Sequence, residues 1–310
     1  MNIYEKSIHK KIENIARIYN LDKILNFKID NKYIQKYYLV NKIPYSIFHS
    51  RKNYVHFAVN KNGKYSEDGL NYQPKFVAKY IKKIQAQNVL EIVCGRAANL
   101  TYLANKFPQV NFFGIDLSKA QLSLAFKKLR KYNNLKVEQG DYHNLSKFKS
   151  HSFDIVFVVE ALYYSTNEIK VFAEVNRILK PSGLFIIIDG YWNDLKEKTT
   201  RDNKIAKRLS ELGIALNKYG EYEQIEKYAN KTGFVNIEKN NLIQYLLPNA
   251  EKFEKMAKIV FEKKCLAFPI KYLFPKKFIY NAFFGYLIAD TIRVNWCQYV
   301  FSVFQKSKNI

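Results

Sequence analysis

A doubly wound α/β domain is predicted by three observations on the sequence. Between about residues 86 and 190, short apolar runs alternate with segments whose apolar residues recur at helical spacing. The runs NVLEIV, VNFFGID, FDIVFVVE and GLFIIIDG are almost continuously apolar, as strands covered on both faces of a parallel sheet must be. Acids and glycines gather where these runs end, which is where ligands bind in open α/β sheets.

The elements follow in order. Residues 1–85 read as a helical cap: Ile8, Ile12, Ile15, Ile18 and Leu21 recur at helical spacing, and the aromatic-rich segments YIQKYYLV and YVHFAV follow. After the loop signal KNGKYSEDG, Pro74 suits the first turn of a helix with Phe76, Val77, Tyr80, Ile81 and Ile84 on one face. Residues 86–247 form the core, with ANLTYLANKF, SKAQLSLAFKKLRKY and EIKVFAEVNRIL as helices and LKVEQGD as the third strand. Charged, helical sequence then runs to about residue 232, before a strand-like FVNIEKNNLI. Residues 248–293 are an aromatic insertion carrying Pro248, Pro269 and Pro275, better suited to a lid than to a sheet. Residues 294–310, with WCQYVFSVFQK, return to the core as a strand.

Composition bounds the function. A chain of 310 residues that is 48% apolar and 16% aromatic can bury a large core and is not a disordered tail. Its 51 basic and 27 acidic residues give a net charge of +24, but the lysines are spread along the chain. That excess fits a compositional habit as well as attraction to an anionic membrane or a nucleic acid. Cys94, Cys265 and Cys297 are too scattered for a disulfide framework or a zinc site, so a reducing, cytoplasmic setting and no metal are expected. The N-terminus lacks the apolar run of a signal peptide, and FIYNAFFGYLIA falls short of the about 20 residues that span a bilayer.

The turn after the first strand carries most of the chemistry. In VLEIVCGRAANL a strand read as Val89 to Val93 enters a tight turn at Gly95, and Ala97 and Ala98 leave room for a ligand at the following helix N-terminus. Glu91 is an acid where apolar residues belong, which means either a carboxylate that holds the turn or one that meets a ligand's ammonium. C-G-R-A-A-N lacks the dinucleotide pattern G-x-G-x-x-G, so nicotinamide binding is disfavoured. Asp116 ends the second strand, about 20 residues past the turn, where an acid meets a ribose. Gly140 and Asp141 end the third, with Tyr142 or His143 beside them to cover a flat ring. The three acids and the glycine turn together point to a nucleoside-type ligand.

At these residues the sequence resembles the class I S-adenosylmethionine-dependent methyltransferases, particularly the branch acting on lipids, sterols, polyketides and other small molecules. VLEIVCGRA resembles the family's first motif, GIDLS its ribose-binding segment with Asp116 and the adjoining Leu117, and GDYHNL its adenine motif. FDIVFVVEALYYS resembles the strand that ends beside the transferred methyl, and LKPSGLFIIID the strand after it. The resemblance implies a Rossmann-like, seven-stranded sheet with S-adenosyl-L-methionine held by Glu91, Cys94, Gly95, Ala97, Asp116, Leu117, Gly140, Asp141, Tyr142 and Glu160. Val93 and Ala97 replace the glycines that usually flank Gly95. A β-branched residue resists positive φ, so the turn is expected to follow a conformation open to such residues, and a weakened, scaffold-like protein is the alternative reading.

Methyl transfer from a sulfonium needs alignment and exclusion of water more than a metal or a triad. A base is needed only when the acceptor must lose a proton, and Glu160, His56 and His143 are the candidates, each with an ordinary structural role as the competing account. EALYYS lacks the sequences typical of methyltransferases acting on nucleic-acid bases, which leaves a hydrophobic small molecule, methylated at oxygen or carbon. In the lid, Phe253, Met256, Phe261, Leu266, Phe268, Tyr272, Leu273, Phe274, Phe278, Phe283, Phe284 and Tyr286 interleave with lysines 255, 258, 263, 264, 271, 276 and 277. This pattern suits a folded roof with a solvated lysine face. It also suits a surface meeting anionic lipid and, less well, single-stranded RNA.

Overall fold

In the computed structural model of the chain, residues 1–41, 50, 52–263 and 275–308 are described. The cap begins with α1 (Ile3–Ile18), started by a capping box in which the Asn2 side chain accepts from the Tyr4 and Glu5 amides while Glu5 accepts from the Asn2 amide. Two shorter helices follow, α2 (Leu21–Leu25) and α3 (Asn31–Val40), started by Asn20 and Asp30. Then comes α4 (Tyr72–Lys83), with Pro74 in its first turn.

The described residues build one seven-stranded sheet in the order β3-β2-β1-β4-β5-β7-β6. The strands are β1 (Asn88–Ile92), β2 (Asn111–Asp116), β3 (Leu135–Gln139), β4 (Phe153–Val159), β5 (Leu179–Trp192), β6 (Phe234–Asn241) and β7 (Cys297–Lys306). The first five pair in parallel, and β7 runs antiparallel to both its neighbours, β5 and β6. Between them run α5 (Ala98–Lys106), α6 (Lys119–Leu129), α7 (Glu168–Ile178), α8 (Arg201–Gly213) and α9 (Tyr222–Lys231).

Alternation along the strands shows why their sequences are so apolar. In β4 and β5, Ile155, Phe157, Leu184, Ile186 and Ile188 enter one core, while Val156, Val158, Phe185 and Ile187 enter the other. The second core is closed by α7 and α9, the first by the cap and the remaining helices. The aromatic insertion forms α10 (Leu247–Phe261) and α11 (Lys276–Arg293), which lie against each other, α1 and α8. Phe261, Phe283 and Tyr286 are buried there, and Lys255, Lys263 and Lys276 are exposed. Leu266, Phe268, Tyr272, Leu273, Phe274, Lys264, Lys271, Cys265 and Pro269 lie outside the described residues. Among the described residues no helix is long and apolar enough to cross a membrane.

A buried ionic cluster fastens α1 to this roof. The Lys11 ammonium lies 2.8 Å from Glu254 Oε1 and 2.6 Å from Asp290 Oδ2, with Lys11 only 4% exposed. Ser7 and Arg293 donate to the same Asp290 carboxylate, and Asn14 donates to the Tyr286 hydroxyl.

Candidate active site

The strand order reverses between β1 and β4, so the loops leaving their carboxyl ends face one another across a crevice. After β1 the chain turns through Val93, Gly95 and Ala97, with φ of 63°, 54° and 56°. This overturns the expectation that Val93 continues the strand and that the turn avoids positive φ there. Val93 and Ala97 adopt the left-handed backbone that glycine would, so the turn keeps its shape despite their side chains. What holds them is local bonding: the Cys94 amide donates to Ile115, Gly95 to Asp116 Oδ2 (2.8 Å) and Ala97 to the Cys94 carbonyl. At Gly114 a side chain would begin 2.8 Å from Cys94 Sγ, so that glycine makes room for the turn, whereas Gly95 opens onto free space.

Left-handed backbone at a β-branched residue costs of order 1–3 kcal/mol. Val93→Gly forfeits about 1 kcal/mol of partial packing and about 0.5–1 kcal/mol of backbone entropy, so the three terms nearly cancel. Chemical denaturation is expected to place this variant within about 1 kcal/mol of the parent; a loss of 3 kcal/mol or more would mean that Val93 is unstrained.

Asp116 is buried and spends both oxygens on the loops, Oδ2 on the Gly95 amide and Oδ1 on that of Ser118. Burial raises its pKa against the pull of those amides. Glu91, 2% exposed, accepts from Asn99 Nδ2 through Oε1 (2.8 Å), while its buried Oε2 has no partner. Burial pushes this carboxyl up to about 8, and the Asp116 charge adds to the shift. Asn99 turns its oxygen to His56 Nε2 (3.2 Å), and His56 Nδ1 lies 3.1 Å from the Phe57 carbonyl. Buried His56 is pushed down to about 4 and is neutral at pH 7. A neutral ring carries one N–H, so it braces Asn99 and, through it, Glu91 in the tautomer with the proton on Nε2.

Across the crevice, Glu160 follows β4 with φ 48°. Its Oε1 accepts from the Phe57 amide (2.8 Å) and from the Tyr299 hydroxyl (2.7 Å). Gln73 Nε2 donates to both the Phe57 carbonyl (2.6 Å) and the Tyr299 hydroxyl (3.1 Å), so the tyrosine proton points to Glu160. Burial raises Glu160 to about 7 although those two bonds lower it. Directly behind, fully buried Asp189 accepts from the Leu162, Tyr163 and Gly190 amides and shapes the loop that carries Tyr163.

A cavity of about 370 Å³ joins these groups. Glu91, Cys94, Gly95, His56 and Glu160 line it, and Phe253, Met256, Phe278 and Phe284 of α10 and α11 roof it. The other residues singled out in the sequence, Ala97, Asp116, Leu117, Gly140, Asp141, Tyr142 and His143, are not among those that line it. Ala97 is buried, Leu117 is half exposed, and Gly140 donates its amide to the Asp116 carbonyl. Asp141 holds the His143 amide and imidazole, each at 2.8 Å. Burial raises Asp141, but the His143 contacts outweigh it and the carboxyl sits below its usual range. The other His143 nitrogen lies 3.0 Å from Ser165 Oγ, so this histidine ties the third loop to the fourth beside Tyr142.

The sequence compares with known proteins on this same region. A family model described as a methyltransferase domain matches residues 84–264, more than half of the chain. The chain belongs to the methyltransferase domain family. Phthiotriol/phenolphthiotriol dimycocerosates methyltransferase of Mycobacterium tuberculosis (strain ATCC 25618 / H37Rv) is 35% identical over 103 residues, 33% of this chain and 37% of that protein. The chain thus matches little more than a third of that relative's length. Among solved structures, the cyclopropane synthase MmaA2 of Mycobacterium tuberculosis has a TM-score of 0.69 at 17% identity, covering 91% of this chain and all of that one. Geranyl diphosphate C-methyltransferase of Streptomyces coelicolor A3(2), in complex with Mg2+, geranyl diphosphate and S-adenosyl-L-homocysteine, has a TM-score of 0.63 at 16% identity, covering 89% and 97%. Both share the fold.

Several groups at this site of the methyltransferase escaped sequence reasoning. Gln73, Asn99, Asp189, Trp192, Tyr219 and Tyr299 belong to segments read only as helix, strand or helical stretch. Asp189, an acid ending the apolar run GLFIIID, carried the same signal as Glu91 and could have been singled out by it.

Proposed function

We propose that the chain is an S-adenosylmethionine-dependent methyltransferase acting on a hydrophobic small molecule of lipid, isoprenoid, sterol-like, polyketide or phenolic type. The observation that carries this reading is the unpartnered Glu91 Oε2 on the wall of a cavity bounded by a left-handed glycine turn. A buried carboxyl oxygen with no partner is costly, and an ammonium, which favours the charged form of Glu91, is the group that relieves it. The residues present therefore fit the cofactor: Glu91 would meet its amino group, the open face of Gly95 and the backbone at Cys94 and Ala97 would take its chain, and Asp116 would take the ribose. Leu117, Gly140, Asp141 and Tyr142 would border the adenine, as the resemblance implies. When bound, S-adenosyl-L-methionine supplies an electrophilic methyl group on sulfur. The protein's own part is to orient the acceptor, keep out water under α10 and α11, and take a proton where the acceptor has one to lose.

Glu160 is the group placed for that last task. Its Oε1 is held by Phe57 and Tyr299, no described donor reaches Oε2, and a pKa near 7 suits proton transfer at neutral pH. The S-adenosyl-L-homocysteine in the geranyl diphosphate C-methyltransferase complex, the relative's name and the apolar roof all support the reading. Rings turned into the cavity or the core do not offer stacked faces to bases, which speaks against RNA as the acceptor. Exposed Lys255, Lys263 and Lys276 support an anionic membrane surface as the place where the acceptor is met.

Calorimetric titration with S-adenosyl-L-methionine is the test. Micromolar binding is expected, weakened at least tenfold by Asp116→Ala, which releases the Gly95 and Ser118 amides. Absence of binding to the parent chain would sink the reading.

A further inference from the structure

At the Glu160 end of the cavity the walls are rings. Trp192 and Tyr219 lie 5.7 Å apart between centroids, Tyr163 and Tyr219 lie 6.4 Å apart, and Tyr299 closes the set through its bond to Glu160. All four rings line the cavity with Glu160, and Trp192, Tyr219 and Tyr299 are almost wholly buried. Tyr219 sits near enough to the acids that, after burial itself and the neighbouring Cys297 and Glu211, Glu160 and Asp189 help to hold its hydroxyl protonated. What this end offers a ligand is therefore the half-buried Tyr163 ring, the small exposed parts of the other three and one carboxylate oxygen, Oε2. The chain carries 51 basic residues, yet among the described residues lining the cavity the cation is Arg96, which donates to Gln121.

We propose that this ring-and-carboxylate pocket binds the ammonium head of an amphiphilic amine, and that the acceptor atom is nitrogen. The proposal rests on the methyltransferase reading and narrows it, replacing the oxygen or carbon that the sequence led us to expect. An ammonium is attracted by the ring faces and donates to Oε2, two interactions that a hydroxyl only half supplies and that a phosphate reverses in sign. The tail lies under Phe253, Met256, Phe278 and Phe284. Glu160 Oε2 takes one proton from the nitrogen, leaving a neutral acid on the protein and a free lone pair on the amine.

The test is a fluorescence titration of the full chain at pH 8, read from the emission of the neighbouring Trp192 and Trp296, with octylamine, octanol and octyl phosphate. Octylamine is expected to bind at least tenfold more tightly than either competitor. Glu160→Gln, which keeps an oxygen for Phe57 and Tyr299, is expected to erase that preference, and Tyr219→Leu to reduce it with the carboxylate intact. Circular dichroism checks that both variants are folded. Equal or tighter binding of octanol or octyl phosphate overturns the proposal. So does competitive displacement of octylamine by S-adenosyl-L-homocysteine, which would give the pocket to the cofactor. Because no cofactor is needed for the titration, octylamine preference in a chain that fails to bind S-adenosyl-L-methionine would refute the reaction and uphold the pocket.

Discussion

Lys11→Met is expected to lower the stability of the chain by about 3–5 kcal/mol in urea denaturation, a large share of the roughly 5–15 kcal/mol that holds a native domain. The lysine lies between Glu254 and Asp290, and both carboxyls sit below their usual range because, against the effect of burial, the ammonium and its bonds favour their charge. Methionine fills a similar volume but leaves two buried charges with one cationic neighbour fewer. The same reasoning predicts recovery: adding Glu254→Gln and Asp290→Asn to Lys11→Met should restore part of the loss, since a neutral cluster has no charge to compensate. A loss below 1 kcal/mol for Lys11→Met alone would show that water reaches the cluster.

The second large effect concerns pH. Glu91 has a folded pKa near 8, far above the usual carboxylate value, so between about pH 4.5 and 8 the folded chain keeps a proton that the unfolded chain releases. Stability must then fall as pH rises through that window. Glu160, raised to about 7, acts in the same direction. His56 acts oppositely but lower: with a folded pKa near 4 it makes stability rise with pH up to about 6.5 and contributes nothing further above that. The window from pH 6.5 to 8 therefore isolates the carboxyls, and one retained proton is worth about 2 kcal/mol across it. Glu91→Gln is expected to remove roughly that much of the decline while binding S-adenosyl-L-methionine more weakly. Parallel curves for the two proteins would mean that Glu91 is already ionised in the free chain.

The parts of this molecule that were legible in the sequence are those with a local signature. Apolar runs buried on two faces announced β1, β2, β4 and β5, and Glu91 stood out because an acid in such a run demands an explanation. The turn at Gly95 and the acid at 116 were readable for the same reason. Nothing local announces that Tyr299 will meet Glu160 or that Lys11 will meet Asp290, because those pairs are made by packing between segments more than a hundred residues apart. The backbone at Val93 was misread since residue type gives a preference, and the amides of Cys94, Gly95 and Ala97 together override it. The described part of the roof is helical, and its rings could not be assigned to cavity, core or surface without the contacts of α10 and α11.

The position of β7 has a consequence for how the chain comes off the ribosome. That strand is made last yet lies inside the sheet, between β5 and β6. Until residues 297–306 emerge, β5 is a long, bare apolar edge and β6 has no neighbour to pair with. More than a hundred residues separate the end of β5 from the start of β7, and at about 5–20 residues per second of synthesis that edge stays open for several seconds. An open edge of this kind invites pairing with another nascent chain. The heaviest demand on chaperones therefore falls in that interval, before the strand that closes the sheet exists.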